Sequence, residues 1–174
     1  MEYKIQNLEK SYGKLNVFKN FTMRIPKSKI TCILGPSGCG KTTSLNILSG
    51  ILQPDSGSIL GIEKQTISYL FQEPRLLDWK TVRGNIEFVL KGTHSKKERH
   101  ALASKYIRIV GLQNFEDYYP SQLSGGMIQR VAIARAFAYP SEILLMDEPF
   151  KGLDIHMKKS VMHAFINLWE PSFS

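Results

Sequence analysis

The stretch Gly35-Pro36-Ser37-Gly38-Cys39-Gly40-Lys41-Thr42 constrains this chain more than any other eight residues in it. Backbone N–H groups can converge on an anion only where no Cβ stands in the way, which is what the glycines supply. A helix beginning directly downstream adds a favourable dipole. Lys41 then offers a cation to the outer oxygens of a polyphosphate, and the Thr42 hydroxyl offers a ligand to Mg²⁺. The surrounding pattern fits this use. Lys29 to Leu34 is a short apolar, partly β-branched run, expected to form a buried strand. Lys41 to about Ser49, with Thr43 in its first turn, is expected to be a helix that stops at Gly50.

The rest of the chain alternates in the same manner. Met1 to about Phe21 is expected to form short strands around a turn at Tyr12-Gly13-Lys14, and Gln53 to Gly61 is turn-rich, with Pro54-Asp55-Ser56-Gly57. Thr66 to Phe71 is expected to be a strand. Val82 to Gly111 is expected to be helical with a break near Gly92, and Ser124 to Tyr139 to be a helix ending before Pro140. Glu142 to Met146 is a continuous apolar run suited to a central parallel strand. Ile155 to about Trp169 is expected to be helical and closed by Pro171. Strands alternating with helices predict an α/β fold with a mostly parallel sheet.

A second chemical feature lies where the late apolar run ends. Ile143-Leu144-Leu145-Met146 is followed at once by Asp147-Glu148. The carboxyl end of a parallel strand is where open α/β sheets hold their ligands. There, Asp147 can enter the shell of a Mg²⁺ ion and Glu148 can polarise an attacking water. Phosphoryl transfer asks a protein mainly for positioning and charge neutralisation, so these roles suffice.

Between these two features, Leu123-Ser124-Gly125-Gly126-Met127-Ile128-Gln129-Arg130 opens a helix, and with it the sequence resembles the ABC ATPase family over nearly its whole length. The resemblance implies a P-loop NTPase core with a small antiparallel β subdomain and an α-helical signature subdomain. It also implies one ATP-binding domain over residues 1–174. Tyr12 resembles the aromatic that stacks on adenine. Gln72 resembles the glutamine that touches Mg²⁺ and couples to the membrane partner. Asp154, in Phe150-Lys151-Gly152-Leu153-Asp154, resembles the D-loop aspartate. Ser124, Gly125 and Gly126 present a hydroxyl and bare N–H groups at a second helix N-terminus. In the family's head-to-tail dimer, each phosphate loop faces the partner's copy of this segment. Lys41, Gln72 and Glu148 are thereby the catalytic candidates, Thr42, Gln72 and Asp147 the metal candidates.

Phe71-Gln72-Glu73-Pro74-Arg75-Leu76-Leu77-Asp78-Trp79 is similar to a run in importer ATPases of the nitrate, sulfonate and taurine type. That likeness implies an ATP-hydrolysing subunit peripheral to the cytoplasmic face of the membrane. Its implied partners are a second ATPase subunit, integral permease subunits and an extracytoplasmic binding protein. The region from about Val82 to Tyr119 is the expected docking face. Two departures from the family are expected to matter. The chain ends before the strand that carries a γ-phosphate-contacting histidine, with His156 and His163 lying earlier, on the last helix. Gly61 to Phe71 is also shorter than usual. An ATP-binding paralogue with little turnover is therefore the main alternative.

Charge separates the remaining function classes only weakly. Lys and Arg number 23 against 15 Asp and Glu, a net +8 that suits nucleic acid, anionic lipid or a polyphosphate equally. The densest basic run, His94 to His100, contains an acid and reads as a solvated helix face. The stretch between Lys41 and Ser124 lacks room for the long insertions of repair and chromosome ATPases, so no nucleic-acid partner is expected. Cys32 and Cys39 are expected to stay reduced, because a bridge would distort the glycine loop. No apolar run approaches the length of a membrane span, and the N-terminus lacks the pattern of a secretory signal.

Overall fold

On either side of Gly13 the chain has enough β-branched and aromatic residues to form strands, and these pair as a hairpin. The computed structural model describes residues 2–62 and 65–169. In it, β1 (Glu2–Tyr12) runs antiparallel to β2 (Leu15–Pro26), with Tyr12 opposite Leu15 and Gly13 at φ 59° in the turn. Tyr3, Ile5 and Leu8 are the buried residues of β1. The three-residue step from Ile5 to Leu8 breaks the strict alternation of a strand. A bulge accounts for it: the register shifts there, and Asn7 has φ 50°.

β3 (Ser56–Leu60) completes a sheet of order β2-β1-β3. The turn-rich composition of residues 53–61 had pointed away from a strand. Pairing with β1 overrides it, as tertiary context commonly does for short segments. Gly57 permits the pairing: a Cβ there would stand 2.6 Å from the Asn7 carbonyl oxygen in the bulge.

One expected strand is absent. Residues 30–36 have no regular secondary structure, and Ile30 and Leu34 are 65% and 91% exposed. A buried parallel strand is defined by neighbours on its two edges. The strands of this unit instead pair with one another in an antiparallel sheet, so the run keeps its β-branched composition without a ladder to enter. Cys32 is accordingly exposed rather than buried, and both Cys32 and Cys39 are free thiols.

The chain divides into two compact units that meet in sequence at Ile67 and Ser68. The first also contains α1 (Lys41–Leu48), which ends at Gly50 with φ 76°. The second contains β4 (Ile67–Leu70) from Ser68 onward, α2 (Val82–Val89), α3 (Lys96–Ile109), α4 (Gly125–Ala138), β5 (Ile143–Met146) and α5 (Ile155–Trp169). Each matches its expected element to within a few residues, including the break at Gly92 between α2 and α3. Pro171, expected to close the last helix, lies outside the described residues.

In the second unit α2, α3 and α4 pack against one another around Val82, Ile86, Leu90, Ala103, Ile107, Val131 and Ile133. Helix α4 is apolar on nearly every side, with Val131, Ala132, Ile133, Ala134, Ala136 and Ala138 all buried, which marks it as the central helix. Its alanines let neighbours approach closely. The Ser68 hydroxyl donates to the Ala136 carbonyl at 2.7 Å, and Phe137 stacks on Phe165 of α5. β4 and β5 pair with each other. The basic run at 94–100 opens α3 through a capping box, in which Ser95 N–H donates to Glu98 and Glu98 N–H donates back to Ser95 Oγ. Among the described residues no helix is long and apolar enough to cross a membrane.

Candidate functional site

The glycine loop takes the conformation its composition allows. Gly38 and Gly40 have φ 80° and 97°, values that side chains with a Cβ rarely adopt. Gly40 caps α1 with no side-chain hydrogen bond, so no side chain screens the first-turn N–H groups. It also lies against the hairpin: a Cβ on Gly40 would meet Val17 Cγ1 at 2.6 Å and Phe18 Cζ at 2.9 Å. That contact seats the loop near the end of β2 that begins at Leu15, opposite Tyr12. Tyr12 is 51% exposed, with Lys10 Nζ 5.7 Å from its ring centroid. Tyr12 and the loop are thus brought to one end of the hairpin.

Lys41 reaches back over the loop. Its Nζ donates to the carbonyl oxygens of Gly35 at 2.8 Å and Pro36 at 2.7 Å and lies 3.8 Å from Cys39 Sγ. Those carbonyls hold the ammonium across the concave side, where an anion would exchange for them. Gly35, Pro36, Ser37, Gly38 and Cys39 are all exposed, and so is Thr42, while Thr43 is half-buried.

In the second unit, pairing of β4 with β5 assembles the acidic turn. Asp147 N–H donates to Leu70 O at 2.9 Å, so the acidic pair begins where β4 gives way to Phe71 and Gln72. Asp147 is 5% exposed, and the next residue turns outward. Glu148 has φ 46°, a left-handed conformation uncommon for a residue with a Cβ and found mostly where a site requires it. Its Oε2 accepts from Gln72 Nε2 at 3.2 Å and lies 3.3 Å from Lys151 Nζ. Gln72, Asp147 and Glu148, far apart in sequence, are therefore brought together.

Burial and the Asp147 charge push the Tyr69 phenol up to about 12, with Arg75 opposing them. Tyr69 stacks on Phe71, whose ring also carries the Arg75 guanidinium at 4.1 Å. The sequence reading missed what holds this loop. Arg135 of α4 donates to the carbonyls of Pro74 at 2.8 Å and Arg75 at 2.9 Å. Burial pulls its guanidinium pKa down. Asn85, fully buried, accepts from Leu77 N–H and donates to the carbonyls of Leu77, Lys80 and Thr81. Arg135, set between alanines of α4, and a lone asparagine on an apolar helix face were the signals available.

The signature segment follows its expected geometry. Ser124 caps α4, its Oγ accepting from Met127 N–H at 3.3 Å. Gly125 faces open space, and a Cβ on Gly126 would meet Gly152 O at 3.6 Å, an ordinary contact that sets this helix end beside the Lys151-Gly152-Leu153 turn. Asp154 caps α5, its Oδ1 accepting from Met157 N–H at 2.9 Å and His156 N–H at 3.0 Å. The first of these bonds is the largest influence holding its carboxyl below the ordinary range. The side chains of His156 and His163 are exposed on α5.

The family model described as ABC transporter matches residues 18–151. The chain is 39% identical to an uncharacterised ABC transporter ATP-binding protein of Methanocaldococcus jannaschii, covering 98% of this chain and 68% of that one. It is 43% identical to a nitrate import ATP-binding protein of Synechocystis, covering 91% and 62%. A taurine import ATP-binding protein of Yersinia pestis is 36% identical, with 95% and 68% covered. Among solved structures, a dimeric ATP-binding cassette in a post-hydrolysis state, bound to ADP and Pi, superposes with a TM-score of 0.88. That cassette is 31% identical, with 98% of this chain and 84% of its own covered. The expected α/β P-loop fold is the fold of these neighbours.

Proposed function

The chain belongs to the ABC transporter family, and from that premise we propose that it is the ATP-hydrolysing subunit of a membrane importer. The observation that carries the proposal is the glycine loop, with Lys41 arched over its carbonyls and the N-terminus of α1 bare of side-chain caps. In this reading adenine stacks on Tyr12. The backbone N–H groups between Gly35 and Thr43, Pro36 having none to give, and the Lys41 ammonium take the phosphates.

Thr42, Gln72 and Asp147 would hold Mg²⁺. All three supply hard oxygen donors, and one carboxylate together with substrate phosphates is a usual complement for this ion. The Gln72 amide nitrogen is turned toward Glu148, so its amide oxygen is the end left for a cation. When bound, the ion neutralises charge on the β- and γ-phosphate oxygens. Glu148 orients a water whose oxygen attacks the γ-phosphorus. The bond to the bridging oxygen breaks, ADP departs with the electron pair, and Glu148 receives the water's proton.

The signature residues Ser124, Gly125 and Gly126, with Asp154, act on the nucleotide of a second subunit in a head-to-tail dimer. A dimeric relative supports this arrangement. Relatives named for nitrate and taurine import support the direction of transport, and in this reading the partners are integral permease subunits and an extracytoplasmic binding protein. That set of partners would hold the chain at the cytoplasmic face of the membrane. The 174 residues constitute a single ATP-binding domain in this reading.

Mg-ATP hydrolysis by the purified chain tests the proposal. Parent turnover, abolished by both Lys41→Ala and Glu148→Gln, is the expected result. ATP bound without turnover would favour the paralogue that binds but does not hydrolyse. Stimulation by DNA or RNA would overturn the transporter reading.

A further inference from the structure

Among the side chains around Glu148, one has no role in the proposed reaction. Lys151 Nζ lies 3.3 Å from Glu148 Oε2, the same oxygen that accepts from Gln72 Nε2 at 3.2 Å. The turn makes this meeting systematic. Glu148 has φ 46°, Lys151 N–H donates to the Glu148 carbonyl at 3.1 Å, and Gly152 follows at φ 77°. A one-turn reversal closed by its own backbone hydrogen bond carries the two side chains to the same side. A carboxylate oxygen has about two lone pairs to offer, and here two donors converge on one oxygen.

We propose that Lys151 is a brake on hydrolysis, a positioning residue that competes with the attacking water for the Glu148 carboxylate. The proposal rests on the reading of Glu148 as the residue that orients that water. While the ammonium holds Oε2, that oxygen is closed to a water hydrogen bond, and freeing it means breaking the pair. The two side chains are 60% and 48% exposed, so the pair is solvated and easily released. Such pairs are weak and screened by salt, which suits a partial restraint and not a lock.

The test is steady-state ATP hydrolysis by the full chain across a series of salt concentrations, for the parent, Lys151→Met and Lys151→Arg. Lys151→Met keeps the length of the side chain and removes its charge. It is expected to raise kcat about two- to five-fold at low salt, the range that an exposed pair's coupling can supply. KM for ATP should stay unchanged. Salt should raise the parent toward the Met variant while leaving that variant flat, and Lys151→Arg should behave as the parent. A purely structural lysine would give neither the salt convergence nor the split between kcat and KM.

Parent turnover that Lys151→Met leaves equal or lower overturns the brake and leaves the hydrolytic reading standing. A rise in kcat that does not converge with salt also overturns it. Absence of turnover in all three chains, with ATP still bound, overturns both the brake and the hydrolytic role of Glu148.

Discussion

The glycine loop and the acidic turn solve opposite problems by opposite means. The loop is exposed from Gly35 to Cys39 and half-buried at Gly40 and Lys41, and its geometry comes from backbone freedom: Gly38 and Gly40 at positive φ and a helix end with no side-chain cap. The acidic turn rests on buried side chains. Asp147 is buried, the buried Gln129 donates to Pro149 O at 2.9 Å, and Arg135 and Asn85 pin the neighbouring loop. Holding a phosphate calls for several N–H groups, which every residue but proline carries, so glycines suffice. Aiming one carboxylate calls for a specific side chain in a specific place, so the protein interior has to be enlisted.

The sharpest test of this contrast lies within the loop. Gly40→Ala meets both a forbidding φ and the side chains of Val17 and Phe18, whereas Gly38→Ala meets only the φ, with open space around it. Gly40→Ala should cost about 3 kcal/mol of stability, the sum of left-handed strain and overpacking. Gly38→Ala should cost about 1 to 2 kcal/mol, from strain alone. Denaturant unfolding of the two variants measures the gap. Equal losses would mean that the hairpin does not brace the loop.

Gln129→Ala probes the other region. Removing a buried amide leaves both a cavity and the Pro149 carbonyl unpaired, at a cost of about 2 kcal/mol. Because Pro149 follows Glu148 directly, kcat should fall while ATP binding, measured by nucleotide titration, stays at the parent value. A parallel loss of ATP binding would break the division of labour drawn above. A smaller effect should follow from Asp147→Asn. With the carboxylate charge gone, the Tyr69 phenol should titrate below its present value of about 12 in a spectrophotometric titration. It should remain above the ordinary 10.0, because burial is the larger cause and is unchanged. An unshifted phenol would mean that the two groups do not interact.

The same contrast explains what could be read from the sequence. The loop was legible because backbone chemistry is written in glycine spacing, and α4 because Ser124 and two glycines announce a cap. Asp147 and Glu148 were legible as the end of an apolar run. Gln72 could be singled out only from family resemblance, and its meeting with Glu148 was not expected, since no local rule joins the segments that follow β4 and β5. Arg135 and Asn85 were missed because each acts through a contact that spacing does not encode, a carbonyl on a neighbouring loop, and Lys151 because its pairing with Glu148 depends on a turn conformation and not on helical spacing. The strand expected at 29–34 failed for the converse reason: composition describes what a segment tolerates, while a strand exists only through its neighbours.

Where the first unit does depend on side-chain charge, the dependence is small and tied to pH. Asp55, just before β3, accepts from Lys10 Nζ and from Ser11 N–H, each at 2.7 Å, and so ties the Tyr12 end of β1 to the third strand. The Lys10 hydrogen bond, then the Ser11 N–H, hold its carboxyl below the ordinary 3.8. A carboxyl whose folded pKa is depressed stabilises the fold fully above its unfolded value and loses that contribution as pH falls through the folded one. Parent stability should therefore decline more steeply than that of Asp55→Asn on acidification below 3.8, and the two melting curves should converge. The Asp55 carboxylate is exposed, so added salt should narrow the difference at neutral pH. Acid melts that stay parallel would mean that backbone pairing alone joins β3 to β1, which would extend the loop's backbone-built character to the whole first unit.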